Sequence, residues 1–336
     1  MNYAAASAKV RALLGGILNE SDYDELISKN SVSDIASYLK NNTVYGQVFS
    51  DSPILDMHRG SLEILLKKQY MEEADRIYRH LGTKKDFFYD LNMDVEIEFL
   101  KSALRGYLID NRFDSELLNI DLKVKHRIPL KDLIEAETAD EFLVRLKKCD
   151  IGKYIYPLVS EKNPNNIHAI ESNLDMYYFI NLDKSARRNF KGKDLAYVLD
   201  FIGKKADIYN IVLILRAKKY YNWSRELIIP HIINIFCRLT NDFIYKLADS
   251  ESYEECLTLL KKTQYANLID DETGKIDETR FYLKKYLHKI RRTNSIKAVL
   301  YYFKLKSADI SNITTITEAV RYGYAKGETK KLVVCK

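Results

Sequence analysis

Apolar residues recur three or four positions apart over much of the chain. Val10, Leu13, Leu14 and Ile17 form one such stripe, closing near Gly15-Gly16. Ile97, Leu100, Leu104 and Leu108 form a second, and Ile229, Ile232, Phe236, Leu239, Phe243 and Leu247 a third. This spacing places each set on one face of an α-helix. The third stripe predicts one long helix, with Pro230 near its start, where the missing N–H does least harm. Alternating apolar and polar positions are almost absent, and only KKLVVC (330–335) offers a possible strand. Pro129 and the stretch SEKNPNN (160–166) read as loops. With 12 Gly and 5 Pro among 336 residues, breakers are too few for many short strands and tight turns. The expected fold class is all-α.

The pattern also repeats. Leu26, Leu133 and Leu247 are each followed five positions later by Ser31, Thr138 or Ser252, then by Asp34, Glu141 or Glu255. A hydroxyl followed three residues later by an acid is a capping-box signature, which predicts three helix starts. Ile35, Phe142 and Cys256 come next, and then Leu39, Leu146 and Leu260, each with a Lys behind it. Each helix is expected to break before a tyrosine: Tyr45, Tyr154 and Tyr265. A second echo lies further on. FLKSALRG (99–106) matches NIVLILRA (210–217), and NITTITEA (312–319) keeps Asn312 and Ile313 but has Thr317-Glu318 where Leu-Arg stands in the others. Two matching features in the same order define three homologous helical repeats, 1–125, 126–228 and 229–336. A period of roughly a hundred residues is too long for an ordinary solenoid, so three such repeats could pack as a pseudo-threefold ring.

Charge and chemistry narrow the function. Lys and Arg number 53 against 47 Asp and Glu, a well-mixed balance of +6 that draws the chain only mildly towards acidic surfaces. IYNIVLIL (208–215) and LIIPHIINIF (227–236) are far shorter than the ~20 apolar residues a bilayer requires, so membrane association is expected to be peripheral or through a partner. The N-terminus lacks the apolar core of a signal peptide. Cys149, Cys237, Cys256 and Cys335 form no CxxC pair, and His58, His80, His126, His168, His231 and His288 show no ligand spacing. No phosphate-binding loop, dinucleotide fingerprint, HExxH or nucleophile elbow is present. No catalytic residue, metal site or cofactor is therefore expected. KKYYNW (218–223), RNFKGK (188–193) and KKYLHKIRR (284–292) mix bases with aromatics as single-strand binders do. The simpler reading is a solvated basic face with tyrosines half-buried behind it, and no nucleic-acid partner is expected.

Arg105 and Arg216 occupy the same place in the first two repeats. One reading is structural, a cation at the negative end of a helix dipole. The other is functional, with equivalent cations aimed at a shared axis.

The opening YAAASAKVRALLGGILNESDYDELI (3–27) resembles the start of the C subunits of the A/V-type ATPases (ATP synthases), the relatives of the d subunit of the eukaryotic V-ATPase. The matching residues are Tyr3, Ala4 to Ala6 and Val10-Arg11-Ala12. Members also carry a threefold repeat with an Asn-Leu-Arg…Leu-Arg-Gly-Lys element. Here that element is degenerate: Phe99 replaces Asn while Lys101 keeps the charge, Val212 replaces an Arg, and Thr314 and Glu318 replace both basic positions in the third copy. The resemblance spans essentially the whole chain. It implies a funnel of three helical domains on the cytoplasmic face of the membrane proteolipid ring, one copy per complex. There it joins the central-shaft subunits to the ring and transmits torque for H⁺ or Na⁺ transport, touching the membrane only through the ring. Arg105 and Arg216 then become candidates for the shaft interface. The alternative is a helical scaffold with other protein partners.

Overall fold

The computed structural model describes residues 3–49, 54–110, 126–269 and 293–333. Helices dominate, and no strand occurs among the described residues. In chain order they are α1 (Ala4–Leu13), α2 (Glu20–Ser28), α3 (Val32–Asn42), α4 (Arg59–Tyr78), α5 (Lys85–Leu91), α6 (Met93–Arg105), α7 (Leu130–Ile134) and α8 (Ala139–Leu146). They continue with α9 (Asp150–Val159), α10 (Ile167–Asn189), α11 (Gly192–Arg216), α12 (Arg225–Ile228), α13 (Asn241–Asp249), α14 (Tyr253–Leu260), α15 (Ile296–Arg321) and α16 (Lys326–Leu332).

The three capping signatures all start helices. Ser31, Thr138 and Ser252 each accept a hydrogen bond from the backbone N–H three residues on, at Asp34, Glu141 and Glu255. That satisfies one of the four free N–H groups of a helix start. The acids bind slightly differently from a reciprocal box. Glu141 and Glu255 accept from the N–H of Glu137 and Glu251, one residue ahead of the cap, while Asp34 accepts from the Ser31 hydroxyl.

The described residues divide into two compact units. The first joins 3–85 to 293–333, so the two ends of the chain share a core. There α15 packs against α1, α2 and α4. Ile313 and Ile316 of α15 complete a cluster with Leu26, Ile35, Leu39 and Phe49, all sealed from water. The second unit holds 86–110 and 126–269. Its centre is α10, which packs on α6, α9 and α11.

Two expectations from periodicity need correction. The stripe from Ile229 to Leu247 is not one helix: Ile229–His231 is a single 3-10 turn, and α13 begins only at Asn241. Side chains of α11 take the backbone bonds that a helix would have used. Asn210 both donates to the Ile233 carbonyl (2.9 Å) and accepts from its N–H (2.8 Å). Asp207 takes the N–H groups of Cys237, Arg238 and Leu239. Ile232, Leu239 and Leu247 are still buried, because apolar spacing records burial and not the path of the backbone. At the other end, Lys330–Leu332 closes α16 instead of forming a strand, and the last three residues lie outside the described set. α15 stops at Gly323, whose φ of +70° lets the Tyr324 N–H reach back to the Ala319 carbonyl at 2.9 Å, the six-to-one bond of a helix terminus.

Candidate functional site

Arg105 and Arg216 each close a long α-helix, and in both cases the backbone continues as a π-helical turn, Gly106–Asp110 and Ala217–Tyr221. Gly106 is right-handed (φ −55°), so it does not act as a left-handed stop. Leu104 and Leu215 point into the core while the arginines are exposed. The structure brings both arginines to one end of α10. Arg105 Nε lies 2.6 Å from Glu171 Oε1 in the second turn of α10. The turn after Arg216 packs beside the first residues of α10, where His168 meets Tyr221 and Trp223 at ring-centroid distances of 5.9 and 6.3 Å. Arg216 makes no ion pair or hydrogen bond among the described residues.

Below these arginines a polar seam runs between α6, α10 and α11. Asp175 accepts from Lys101 Nζ and from the Tyr209 hydroxyl, both at 2.8 Å. Burial raises the Asp175 pKa, with Lys101 and Tyr209 opposing it. Burial also works against the Lys101 charge, yet Asp175 and Glu98 outweigh it and hold its pKa above the ordinary value. Further down, Lys205 bridges Asp94 (2.5 Å) and the Tyr178 hydroxyl (2.7 Å). The seam fixes the three helices in register, and so fixes where α6 and α11 end.

Glu318, which replaces the arginine in the third repeat, also forms an ion pair. Its Oε1 lies 2.6 Å from Arg59 Nε at the start of α4. Thus α15 meets α4 as α6 meets α10, with the charges reversed: Arg105 with Glu171, Glu318 with Arg59. The segment of the third repeat that would correspond to α4 and α10 lies outside the described residues.

Three residues ahead of each copy of this element stands a buried acid that the periodicity did not single out: Glu96, Asp207 and Asp309, each at most 1% exposed. Glu96 accepts from the N–H groups of Arg127 (2.9 Å) and Ile128 (2.7 Å). Asp207 accepts from the N–H groups of Cys237 (3.2 Å), Arg238 (2.7 Å) and Leu239 (3.3 Å) and from the Tyr265 hydroxyl (2.6 Å). Asp309 accepts from the hydroxyls of Tyr23 (2.6 Å) and Tyr45 (2.8 Å). In each case the acid holds a segment distant along the chain: Glu96 holds 127–128, Asp207 holds 237–239 and Tyr265, and Asp309 holds Tyr23 and Tyr45. The signal was present in sequence, since DIYNI (207–211) and DISNI (309–313) differ only at their middle residue. A charged residue on an apolar helix face, however, reads as solvated until its partners are seen.

These joints also correct the reading of the tyrosines. Tyr45 and Tyr265, at matching places in the first and third repeats, are fully buried with their hydroxyls on an acid, whereas Tyr154 of the second is 43% exposed. Burial first, and the adjacent carboxylate second, raise both buried phenols well above their usual range. In the first unit the joint adjoins a second buried charge cluster. Glu73 accepts from Gln69 Nε2 (2.7 Å) and the Tyr302 hydroxyl (2.5 Å) and lies 3.3 Å from Lys306 Nζ. That ammonium also sits 3.9 Å from the centre of the Tyr45 ring.

Among the described residues no group of His, Cys, Asp and Glu is placed to hold a metal ion, and no helix is long and apolar enough to cross a membrane. What the geometry offers is a set of buried, hydrogen-bonded joints and exposed helix ends.

Residues 6–332 match the family described as ATP synthase (C/AC39) subunit. The C subunit of the A-type ATP synthase of Methanobrevibacter smithii is 25% identical over 334 residues, covering 95% of this chain and 84% of that protein. Its counterpart in Methanosphaera stadtmanae is 27% identical over 290 residues (83% and 70% covered), and that of Methanosarcina acetivorans 25% over 340 residues (93% and 91%). The chain therefore belongs to the ATP synthase (C/AC39) subunit family, a family of accessory and not catalytic subunits.

Proposed function

We propose that this protein is the non-catalytic C subunit in the rotor of an A/V-type rotary ATPase. It acts as a socket that joins the central shaft to the membrane proteolipid ring and carries torque between them during H⁺ or Na⁺ transport. One copy sits on the cytoplasmic face of the membrane in each complex. The observation that carries this reading is the family match running from residue 6 to residue 332. The joints at Glu96, Asp207 and Asp309 support it further. They link first repeat to second, second to third and third to first, the order expected of three domains (1–125, 126–228 and 229–336) around a pseudo-threefold axis in a funnel-shaped protein. Torque is borne better by many interlocked contacts than by one residue, and buried, fully bonded acids resist shear because opening them strands charge.

The exposed Arg105 and Arg216, at one end of α10, are the proposed shaft contacts. Long-range attraction between such cations and an acidic shaft surface would act mostly through the association rate. Purification of the tagged protein from its own membranes in mild detergent, with companions identified by mass spectrometry, tests the reading. Recovery of shaft subunits, proteolipid and nucleotide-binding head is expected. Recovery of the protein alone, under conditions that keep the motor intact, overturns it in favour of a scaffold with other partners. Within the recovered complex, R105E/R216E is expected to weaken shaft retention; a folded double variant that keeps it returns both arginines to a helix-end role.

A further inference from the structure

The turn after α11 is held by a cluster of aromatic rings that includes two imidazoles. Trp223 stacks on His231, the last residue of the 3-10 turn Ile229–His231, at a centroid distance of 5.6 Å and an interplanar angle of 30°. Tyr221 lies 5.5 Å from the same indole. His168, at the start of α10, meets Tyr221 at 5.9 Å and Trp223 at 6.3 Å, the latter almost edge-on (83°). One indole thus joins segments that are distant along the chain. Neither imidazole has an ion-pair or hydrogen-bond partner among the described residues. The elements packed against the 3-10 turn are α10 and α12, and their acids are engaged elsewhere. On α10, Glu171 pairs with Arg105 at 2.6 Å. On α12, Glu226 accepts from the Ser224 hydroxyl, and Arg225 pairs with Asp249 at 3.1 Å. The turn itself carries Lys218 and Lys219, and Lys219 lies over the rings of Tyr220 and Tyr253 at 5.5 and 4.8 Å.

We propose that this ring cluster is a proton-sensitive latch, which holds the turn after α11 against the start of α10 at neutral pH and releases it in acid. Histidine is the side chain whose charge changes in this range. His168 is exposed, so water solvates its proton. His231 is half-buried. Burial first, and His168 second, lower its pKa below the ordinary 6.5. An indole face attracts a cation, which eases one charge beside Trp223. A second cation against the same ring is repelled by the first, and no carboxylate answers it. Release lets both imidazoles hydrate. A lowered folded-state pKa gives stability that is full above the ordinary value and lost as pH falls through the folded one. Between those two values, release coupled to one proton becomes up to about tenfold more favourable per pH unit. The latch is independent of the rotor reading, since all its contacts lie within the second unit.

Trp223 is the only tryptophan in the sequence, so emission excited beyond the tyrosine absorption reports on the latch alone. The full-length protein is titrated from about pH 8 to about pH 5, the range in which imidazole changes charge. The expected result is a reversible red shift as Trp223 gains water. Hydrogen exchange should also quicken at its amide, which donates to the Ala217 carbonyl at 3.2 Å, relative to the same amide in H231F at each pH. H231F keeps a ring for stacking and removes the proton, so its emission should not respond. H168N removes the opposing charge and should move the midpoint of the parent's red shift to higher pH. Circular dichroism at each pH establishes that the chain stays folded; if H231F melts early, H168N provides the test by itself. An emission maximum that stays constant across the range overturns the proposal. Quenching without a red shift or faster exchange does so too, since the imidazoles then titrate in place. The same holds for an H231F response equal to the parent's, or for an unmoved midpoint in H168N.

Discussion

The Asp207 and Asp309 joints stand at the same place in two repeats and solve the same problem differently. Asp207 takes three backbone N–H groups and one tyrosine hydroxyl. Asp309 takes two tyrosine hydroxyls and adjoins the buried Glu73–Lys306 pair. Backbone N–H groups can only donate, and they lie where the chain puts them. Hydroxyls can donate or accept and rotate to suit. The Asp207 joint therefore shapes the backbone of the following repeat, holding 237–239 out of a helix, while the Asp309 joint ties together finished elements from the two ends of the chain. Two acids at matching places thus have two kinds of partner, one directing the local fold and one closing it.

The largest test of this contrast is Lys306→Met. Removing the cation leaves Glu73 charged and sealed from water, a loss expected to cost about 4 kcal/mol. Urea unfolding should show it as a lower midpoint, with most of the stability regained in K306M/E73Q. A single variant as stable as the parent would mean that the pair contributes nothing to the closure. Next in size is Asp207→Ala against Asp309→Ala. The first strands backbone donors that cannot turn away and should cost about 3 kcal/mol; the second strands rotatable hydroxyls and should cost less. Equal losses would erase the distinction drawn above.

Gly203 sharpens the comparison sterically. It lies one turn before Asp207, and a Cβ there would come within 2.7 Å of the Cys237 Cβ. Gly203→Ala should push the 237–239 segment off α11 at a cost of about 2 kcal/mol. Faster hydrogen exchange at the amides of Cys237, Arg238 and Leu239 would mark the displaced segment, and unchanged protection would count against it. A smaller effect concerns pH. Burial raises the Asp207 pKa above the usual 3.8, although its donors oppose the shift. A folded-state pKa above the unfolded one gives stability that is full below the unfolded value and lost as pH rises through the folded value. The stability margin of the parent over D207N should therefore narrow as pH rises from below 3.8, read from urea midpoints at each pH. A widening margin would reverse the sign. The smallest change is expected at the helix ends. The Arg105–Glu171 and Arg59–Glu318 pairs are partly exposed, so R105E or R59E should cost under about 1 kcal/mol each. A larger loss in thermal melts would make these pairs structural joints in their own right.

Some of this is legible in the residues alone. The helix starts at Ser31, Thr138 and Ser252 are, because capping depends on atoms three residues apart. So is the burial of Ile97, Leu100 and Leu104, because apolar spacing reports a face. The equivalence of Arg105 and Arg216 is visible, and their shared position at one end of α10 is not. The broken path from Ile229 to Asn241 is invisible, since its cause lies on another helix.

Sequence by itself determined the all-helical class of the described residues and the points at which helices begin, for these follow from local hydrogen bonding and from which side chains avoid water. Only the tertiary structure decided that Glu96, Asp207 and Asp309 are buried joints, that Glu318 reverses an ion pair instead of losing one, and that Tyr45 and Tyr265 are sealed while Tyr154 is exposed. The physical reason is common to all three. A carboxylate or a phenol has no fixed preference for the interior. It enters only when donors or acceptors from distant parts of the chain meet it there, and those partners become neighbours only once the chain has folded.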